Sequence, residues 1–494
     1  MSRIILFVIG IYMGPILCSQ NIKKCSTTIN KKHLAWFKSY KSDPQAFNAD
    51  LRTPKDIPLK IHIVGDDDGS GYYSIESLLA TMCTLNEDYA PLNMRFYIYG
   101  DIDYINKSVY YSHSDPFVGN AMFLEYNDTT FDNGDTLVPI NIYFVQEPRG
   151  TCGYYAPLGD AIAIKKACQQ DVEHTLTHEI GHYFTLMHTF FGWEDGTTPA
   201  LDKQEKMDQS NCNSPYVDDP LIAGAGDGFC DTPPDYLSQR WGQGFQNCNS
   251  GTLTDPNGVS FTVDGSFYMS YSDDVCQDKF SSEQTNAVLA YLNSERAYFA
   301  SMGQISNTSE VVIGDIIEPL DGAVNVPYNW SAFQWDAVPG ASAYNVIVSK
   351  SSTFLNPSID IYTTNKYYIG TNLTSGESYY WKVKAIADGN ACGGYNCTGS
   401  DCPKFTVGGY SSIQSLNKNA IQIYPNVLAR MKNQKIKLKG LNEGLVQIYD
   451  VASQKVGSCF IIDSELELQP LENGIYFLNI ESEGKIYNSK IVIQ

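Results

Sequence analysis

The chain has 494 residues, more than one hydrophobic core can serve, so several domains are expected. Hydrophobic residues make up 43% of it and charged residues 18%, a globular balance that excludes an extended disordered chain. The formal net charge of -21 excludes nucleic acid and anionic membrane surfaces as natural partners, because both call for clustered Lys and Arg.

The chain opens with MSRIILFVIGIYMGPILCSQ, in which Arg3 precedes an apolar run from Ile4 to Cys18 and small Ser19 follows. Those flanks and that length predict a signal peptide over 1–19, and no later stretch is long and apolar enough for a transmembrane segment. The product is therefore expected outside the cell or on its surface, where 13 cysteines can pair. Residues 20–52 are polar and Lys-rich, with some helical character but too little apolar surface for a core, and read as a propeptide.

From 53 to 305 the pattern is mixed α/β. IPLKIHIV (57–64) predicts a strand, and Ile75, Leu78, Leu79 and Met82 recur at helical spacing across 74–89. MRFYIYG, VPINIYFV and DAIAIKKA predict further strands ahead of a histidine-rich helix. From 306 to 410, short alternating runs separated by Gly, Pro and Asn predict a β-sandwich. This stretch resembles a fibronectin type III-like module, which implies Trp335, Tyr344, Leu373, Tyr379 and Trp381 in its core and whose plain reading is a spacer or adhesive domain. Residues 411–494 carry AIQIYPNV, LVQIYDVASQKV, LENGIYFLNI and KIYNSKIVIQ. Their order resembles the C-terminal sorting domain of the Bacteroidetes type IX secretion system, although Val427 replaces the usual proline and Ser453 stands near the usual glycine.

The chemistry concentrates in HEIGHYFTLMH, residues 178–188. His178 and His182 lie one helical turn apart and can bind one zinc, with Glu179 facing the same opening. His174 also lies one turn from His178, but only the 178/182 pair has a glutamate directly after its first histidine, so His174 is expected to be structural or to support the ligands. On an unbroken helix His188 would sit roughly 240° around from His182, so the helix must end between them. Glycine usually makes that turn, and here Thr185 must adopt it at a cost of about 1 to 2 kcal/mol. That is small beside roughly 10 kcal/mol of zinc binding, so His188 is expected to reach the metal.

HEIGHYFTLMHTF resembles the extended zinc motif of the metzincin metalloproteases except at Thr185, where that motif has glycine. GDGFCDTPPD (226–235), SFYMSYSDDVC (266–276) and KFSSEQ (279–284) resemble, in order, further signatures of the pappalysin-type branch, the ulilysin- and cytophagalysin-like enzymes. The resemblance covers about residues 55–303. It implies an α/β metzincin-like catalytic domain followed by two all-β sandwich domains. It implies zinc on His178, His182 and His188, a Met-turn with Met269 below the imidazoles, and Tyr271 beside the metal. Peptide bonds would be hydrolysed by zinc-activated water with Glu179 as general base. DAIAIKKA would be the edge strand that pairs with substrate.

In this branch a propeptide cysteine can block zinc, and Cys25 in KKCSTT resembles that switch; a structural Cys25–Cys83 bridge is the equal alternative. Cys152–Cys168, Cys212–Cys230 and Cys248–Cys276 are the other expected pairs. Asp218, Asp219, Asp227 and Asp231 gather oxygen ligands consistent with the branch's calcium sites, against the alternative of a solvated acidic loop. Asp273 and Asp274 follow the Met-turn, where a carboxylate would favour Arg or Lys after the cleaved bond. A secreted zinc endopeptidase acting on protein or peptide substrates, exported by the type IX machinery, is the reading these features favour. The alternative is an inactive protease fold serving as a surface adhesin or binding protein, which the retention of all three histidines, Glu179, Met269 and Tyr271 weakens.

Overall fold

The computed structural model describes residues 23–25, 27, 31–169, 173–191, 227–235, 248–254, 260–408 and 422–493, apart from 129, 133–134, 234, 325, 329–330, 372, 425–426, 429–433, 440, 451–454 and 483–484. The expected signal peptide lies outside them. Contacts divide the chain into two compact units, Met1–Glu310 with Ile386–Cys392, and Val311–Ala385 with Gly393–Gln494. No helix among the described residues is long and apolar enough to cross a membrane.

The first unit is built on a seven-stranded sheet. Its strands in chain order are β1 (Lys23–Cys25), β2 (Lys55–Gly65), β3 (Met94–Ile98), β4 (Asp103–Asn106), β5 (Ile140–Val145), β6 (Thr151–Ala156) and β7 (Ala161–Lys165). They lie in the order β1-β6-β7-β5-β2-β3, with β4 also on β2. Only β6 and β7 pair antiparallel. β2 is buried from Ile57 to Gly65, as expected of a parallel strand covered on both faces.

Helix α1 (Lys31–Ser42) precedes β2, and α2 (Ile75–Tyr89) follows it. The Ser74 side chain caps α2 by accepting from Ser77 N, and Ile75, Leu78, Leu79 and Met82 form the buried face that the spacing predicts. α3 (Pro116–Tyr126) packs Met122 and Phe123 against Tyr143, Tyr154 and Ala163 of the sheet. α4 (Thr175–Tyr183) is the histidine helix. α5 (Ser282–Glu295) opens with a capping box in which Ser281 and Gln284 satisfy each other's backbone N–H.

Three expectations need correction. β7, the DAIAIKKA strand, is not an edge: it has β6 on one side and β5 on the other. The chain reverses after β6, and this antiparallel hairpin moves the outer position to β6, along which β1 lies parallel. Residues 20–52 do carry core surface, because α1 buries His33, Trp36, Phe37 and Tyr40 on one face. Trp36 packs edge-on against Tyr291 of α5 and donates to Ser294 Oγ. Finally, Cys83 pairs with Cys392, 309 residues away, rather than with Cys25. The reason is proximity within the first unit, where the two Cα atoms stand 4.9 Å apart and disulfide geometry is met. Cys152–Cys168 and Cys248–Cys276 form as expected. Cys230 is disulfide-bonded, and Cys212 lies outside the described residues.

The second unit is all β. A three-stranded sheet (Ile316–Glu318, Ser331–Trp335, Tyr367–Gly370) and a five-stranded sheet (Val326–Pro327, Ala343–Ser349, Ile359–Thr363, Ser378–Ile386, Lys404–Gly408) bury Trp335, Tyr344, Leu373, Tyr379 and Trp381. Beyond them an eight-stranded sheet runs from Gln422–Tyr424 to Lys485–Ile493 around Ile436, Leu438, Val446, Ile480 and Ile491. Ala332, Ile369, Ile475 and Val492 form one shared cluster, so both β portions belong to a single compact unit.

Candidate metal centre

α4 stops where the spacing of its histidines requires. Phe184 N donates to Ile180 O, Thr185 N to His182 O and Leu186 N to Gly181 O, which together make a Schellman ending with the left-handed residue at Thr185. Thr185 has φ +74°, the conformation glycine normally supplies. The turn sends the chain back, and His188 Nε2 comes to 3.0 Å from His182 Nε2. Ligand atoms of His178, His182 and His188 all lie within 4.8 Å of one another, and all three residues are buried.

The rings are held from behind. His178 Nδ1 lies 2.7 Å from Tyr268 O, and His182 Nδ1 lies 2.7 Å from Leu186 O. A carbonyl only accepts, so both Nδ1 atoms carry the proton and both Nε2 atoms present lone pairs toward His188. The same ending that admits His188 also supplies Leu186 O, so one turn places two of the three imidazoles. Burial first, and then the neighbouring His188 and His178, push His182 well below the usual imidazole range, which favours the neutral, ligating form. This donor set, three convergent imidazoles with Nδ1 directed by carbonyls, fits a zinc ion.

Glu179 is fully buried beside this cluster. It packs against β6, where a Cβ on Gly153 would come within 3.0 Å of its side chain, so glycine there makes room for the carboxylate. Thr27 Oγ1 donates to Glu179 Oε2 at 2.9 Å and accepts from Tyr155 N at 2.7 Å. β1 sets Cys25 opposite Gly153 in the register. Met269 is buried under the helix, and a Cβ on Gly181 would collide with its Sδ. The Tyr271 ring stands 5.0 Å from that of His188 and 5.9 Å from that of His178.

The structure thus brings His178, Glu179, His182, His188, Met269 and Tyr271 together. His174 stays outside the cluster, with Nδ1 2.7 Å from Asp88 Oδ2. Asp218 and Asp219 lie outside the described residues. Asp227 accepts from Phe229 N, Thr232 Oγ1 and Gln284 Nε2, and Asp231 accepts from Glu283 N, so both tie their loop to α5. Nothing among the described residues adds support for calcium. Two further carboxylates near the histidines were not singled out by any motif: Asp235, which accepts from Thr189 Oγ1 directly after His188, and Asp88. The signal for Asp88 was available: it continues the spacing of Leu78, Leu85 and Tyr89 on the buried face of α2, where an unsupported carboxylate does not belong.

Residues 422–494 match the family model described as the secretion system C-terminal sorting domain. The chain is 27% identical over 256 residues to extracellular metalloprotease 1 of Coccidioides posadasii, covering 48% of this chain and 76% of that one. It is 25% identical over 263 residues to an extracellular metalloprotease of Colletotrichum graminicola, covering 49% and 77%. A solved structure of a Tannerella forsythia promirolysin mutant is similar at 17% identity over 57% of this chain and 97% of that one, with a TM-score of 0.37. The likeness to metalloproteases thus covers about half of this chain, and the sorting-domain match adds its C-terminal end.

Proposed function

We propose that the chain is an exported zinc endopeptidase of the pappalysin type. The observation that carries this reading is the convergence of three buried imidazoles within 4.8 Å beside the buried carboxylate of Glu179. A zinc ion held by His178, His182 and His188 would supply Lewis-acid polarisation of water and of the scissile carbonyl. Glu179 takes the proton of the attacking water and returns it to the leaving amine. Tyr271 offers its hydroxyl to the developing oxyanion, and Met269 forms the apolar floor.

Residues 20–52 act as a propeptide in this reading. β1 occupies the outer side of β6, and Thr27 holds Glu179, so removal of the segment frees both a strand edge for substrate and the base. The expected zinc-blocking role of Cys25 belongs to the same proposal, supported by its register opposite Gly153. The tail at 422–494 and the expected signal peptide route the protein through the type IX machinery to the outside or the cell surface. A carboxylate at Asp273 or Asp274 would favour Arg or Lys after the scissile bond, and peptide-library cleavage without that enrichment would remove this part.

The direct test measures zinc in the purified chain after removal of the N-terminal segment, together with cleavage of a denatured protein. One zinc per chain and cleavage abolished by a chelator are expected. Absence of both zinc and cleavage would leave the adhesin alternative, and cleavage that persists in chelator would overturn the zinc mechanism.

A further inference from the structure

Asp88, in the last turn of α2, is buried and accepts from three side chains. Two lie at the start of the histidine helix: His174, its N-cap residue, whose Nδ1 is 2.7 Å from Oδ2, and Thr177 in its first turn, whose Oγ1 donates to the same oxygen. The third is Tyr268 on the Met269 turn, whose Oη donates to Oδ1 at 2.9 Å. Tyr268 is also the residue whose carbonyl receives the proton of His178 Nδ1. The His174 and Tyr268 rings lie 5.1 Å apart, so both sit against the same carboxylate.

We propose that Asp88 is a positioning residue of the metal centre: one carboxylate locks the start of the histidine helix to the Met269 turn, and thereby sets the Tyr268 carbonyl that aims His178. Apolar packing could hold the helix and turn together at lower desolvation cost. A carboxylate with three donors adds direction, since each donor has one place to point. The path from Asp88 to the metal runs through Tyr268, from its hydroxyl to its backbone and then to His178 Nδ1. Such supporting partners orient ligating imidazoles and raise their basicity.

This inference rests on the zinc reading and deepens it. Its test uses the full chain, stripped of metal and titrated with zinc against a competing chelator, for wild type, Asp88→Asn, Tyr268→Phe and the double variant. Tyr268→Phe keeps the ring packing and the backbone carbonyl and loses only the hydroxyl, so it reports even where Asp88→Asn folds poorly. Each single variant is expected to weaken zinc about tenfold or more, and the double variant no more than Asp88→Asn alone, because both cut one path. The melting temperature of the metal-free protein, measured alongside, separates general destabilisation from loss of metal affinity. Zinc affinity within twofold of wild type in both single variants, whatever the melting temperature, would overturn the role of Asp88 and leave the zinc centre standing. A wild-type chain that binds no zinc would overturn both.

Discussion

The two units use their interiors differently, although the second also buries Lys382 and Lys384. All seven histidines lie between His33 and His188, and the first unit buries charged or titratable side chains in quantity: Glu179, Asp88, Asp227, Asp235 and the three convergent imidazoles. The second unit fills its cores with Trp335, Trp381 and Phe333 in one part and Ile436, Leu438 and Ile480 in the other. Burying a polar group costs free energy unless every bond it needs is supplied. The first unit meets that cost with a dense set of partners around one site, while the second invests in shape and strand pairing.

The sharpest way to break this contrast is Glu179→Ala. It should lower kcat about 100- to 10,000-fold while zinc stays bound, read by kinetics and metal analysis; loss of zinc would mean that Glu179 holds the metal rather than moving protons. Deleting residues 418–494 should do the reverse, leaving cleavage of a peptide intact and removing the protein from the cell surface and medium of its host. Normal export of the shortened chain would take the address function away from the second unit. Trp381, fully buried and donating its Nε1–H to Pro319 O, allows a finer division. Trp381→Ala should destabilise the second unit by about 3 to 5 kcal/mol in calorimetry, with kcat/KM unchanged.

Within the first unit, acid should loosen the N-terminal segment. His33 is held down to about 4 from 6.5, chiefly by burial and further by Arg296 and Lys32, against the opposing charge of Asp160. A folded value below the unfolded one means that the docked state excludes a proton. Docking is therefore at full strength above pH 6.5 and weakens as pH falls toward 4, by on the order of 3 kcal/mol. Hydrogen exchange across Lys31–Ser42 at pH 7 and pH 4.5 should show it, and His33→Leu should remove the difference. The smallest effect belongs to Thr185, which combines φ +74° with a buried hydroxyl that has no hydrogen-bond partner among the described residues. Thr185→Gly should raise stability by about 1 kcal/mol and keep zinc, because the strain vanishes and the turn remains.

Much of the site was legible because its information is local. The 178/182 spacing and the need for a turn between His182 and His188 follow from helix geometry, the resemblance to the extended zinc motif puts that turn at Thr185, and the backbone there takes the left-handed form. The buried face of α2 likewise follows from side-chain period, while the sandwich core at Trp335 and Trp381 follows from the resemblance to a fibronectin type III-like module.

Other features depended on where the folded chain returned. DAIAIKKA reads as a strand, but only the hairpin with Thr151–Ala156 makes it interior. Lys31–Ser42 reads as a polar helix, yet Tyr155 and Tyr291 turn its four buried aromatic side chains into a docked face. Cys83 could not name Cys392 across 309 residues, nor could Asp88 name Tyr268 across 180. Periodicity and capping are written between neighbours, so the sequence by itself determined the elements and the ligand-bearing turn. Which distant groups share a carboxylate, a disulfide or a strand edge depends on the path of the whole chain, and only the tertiary structure decided it.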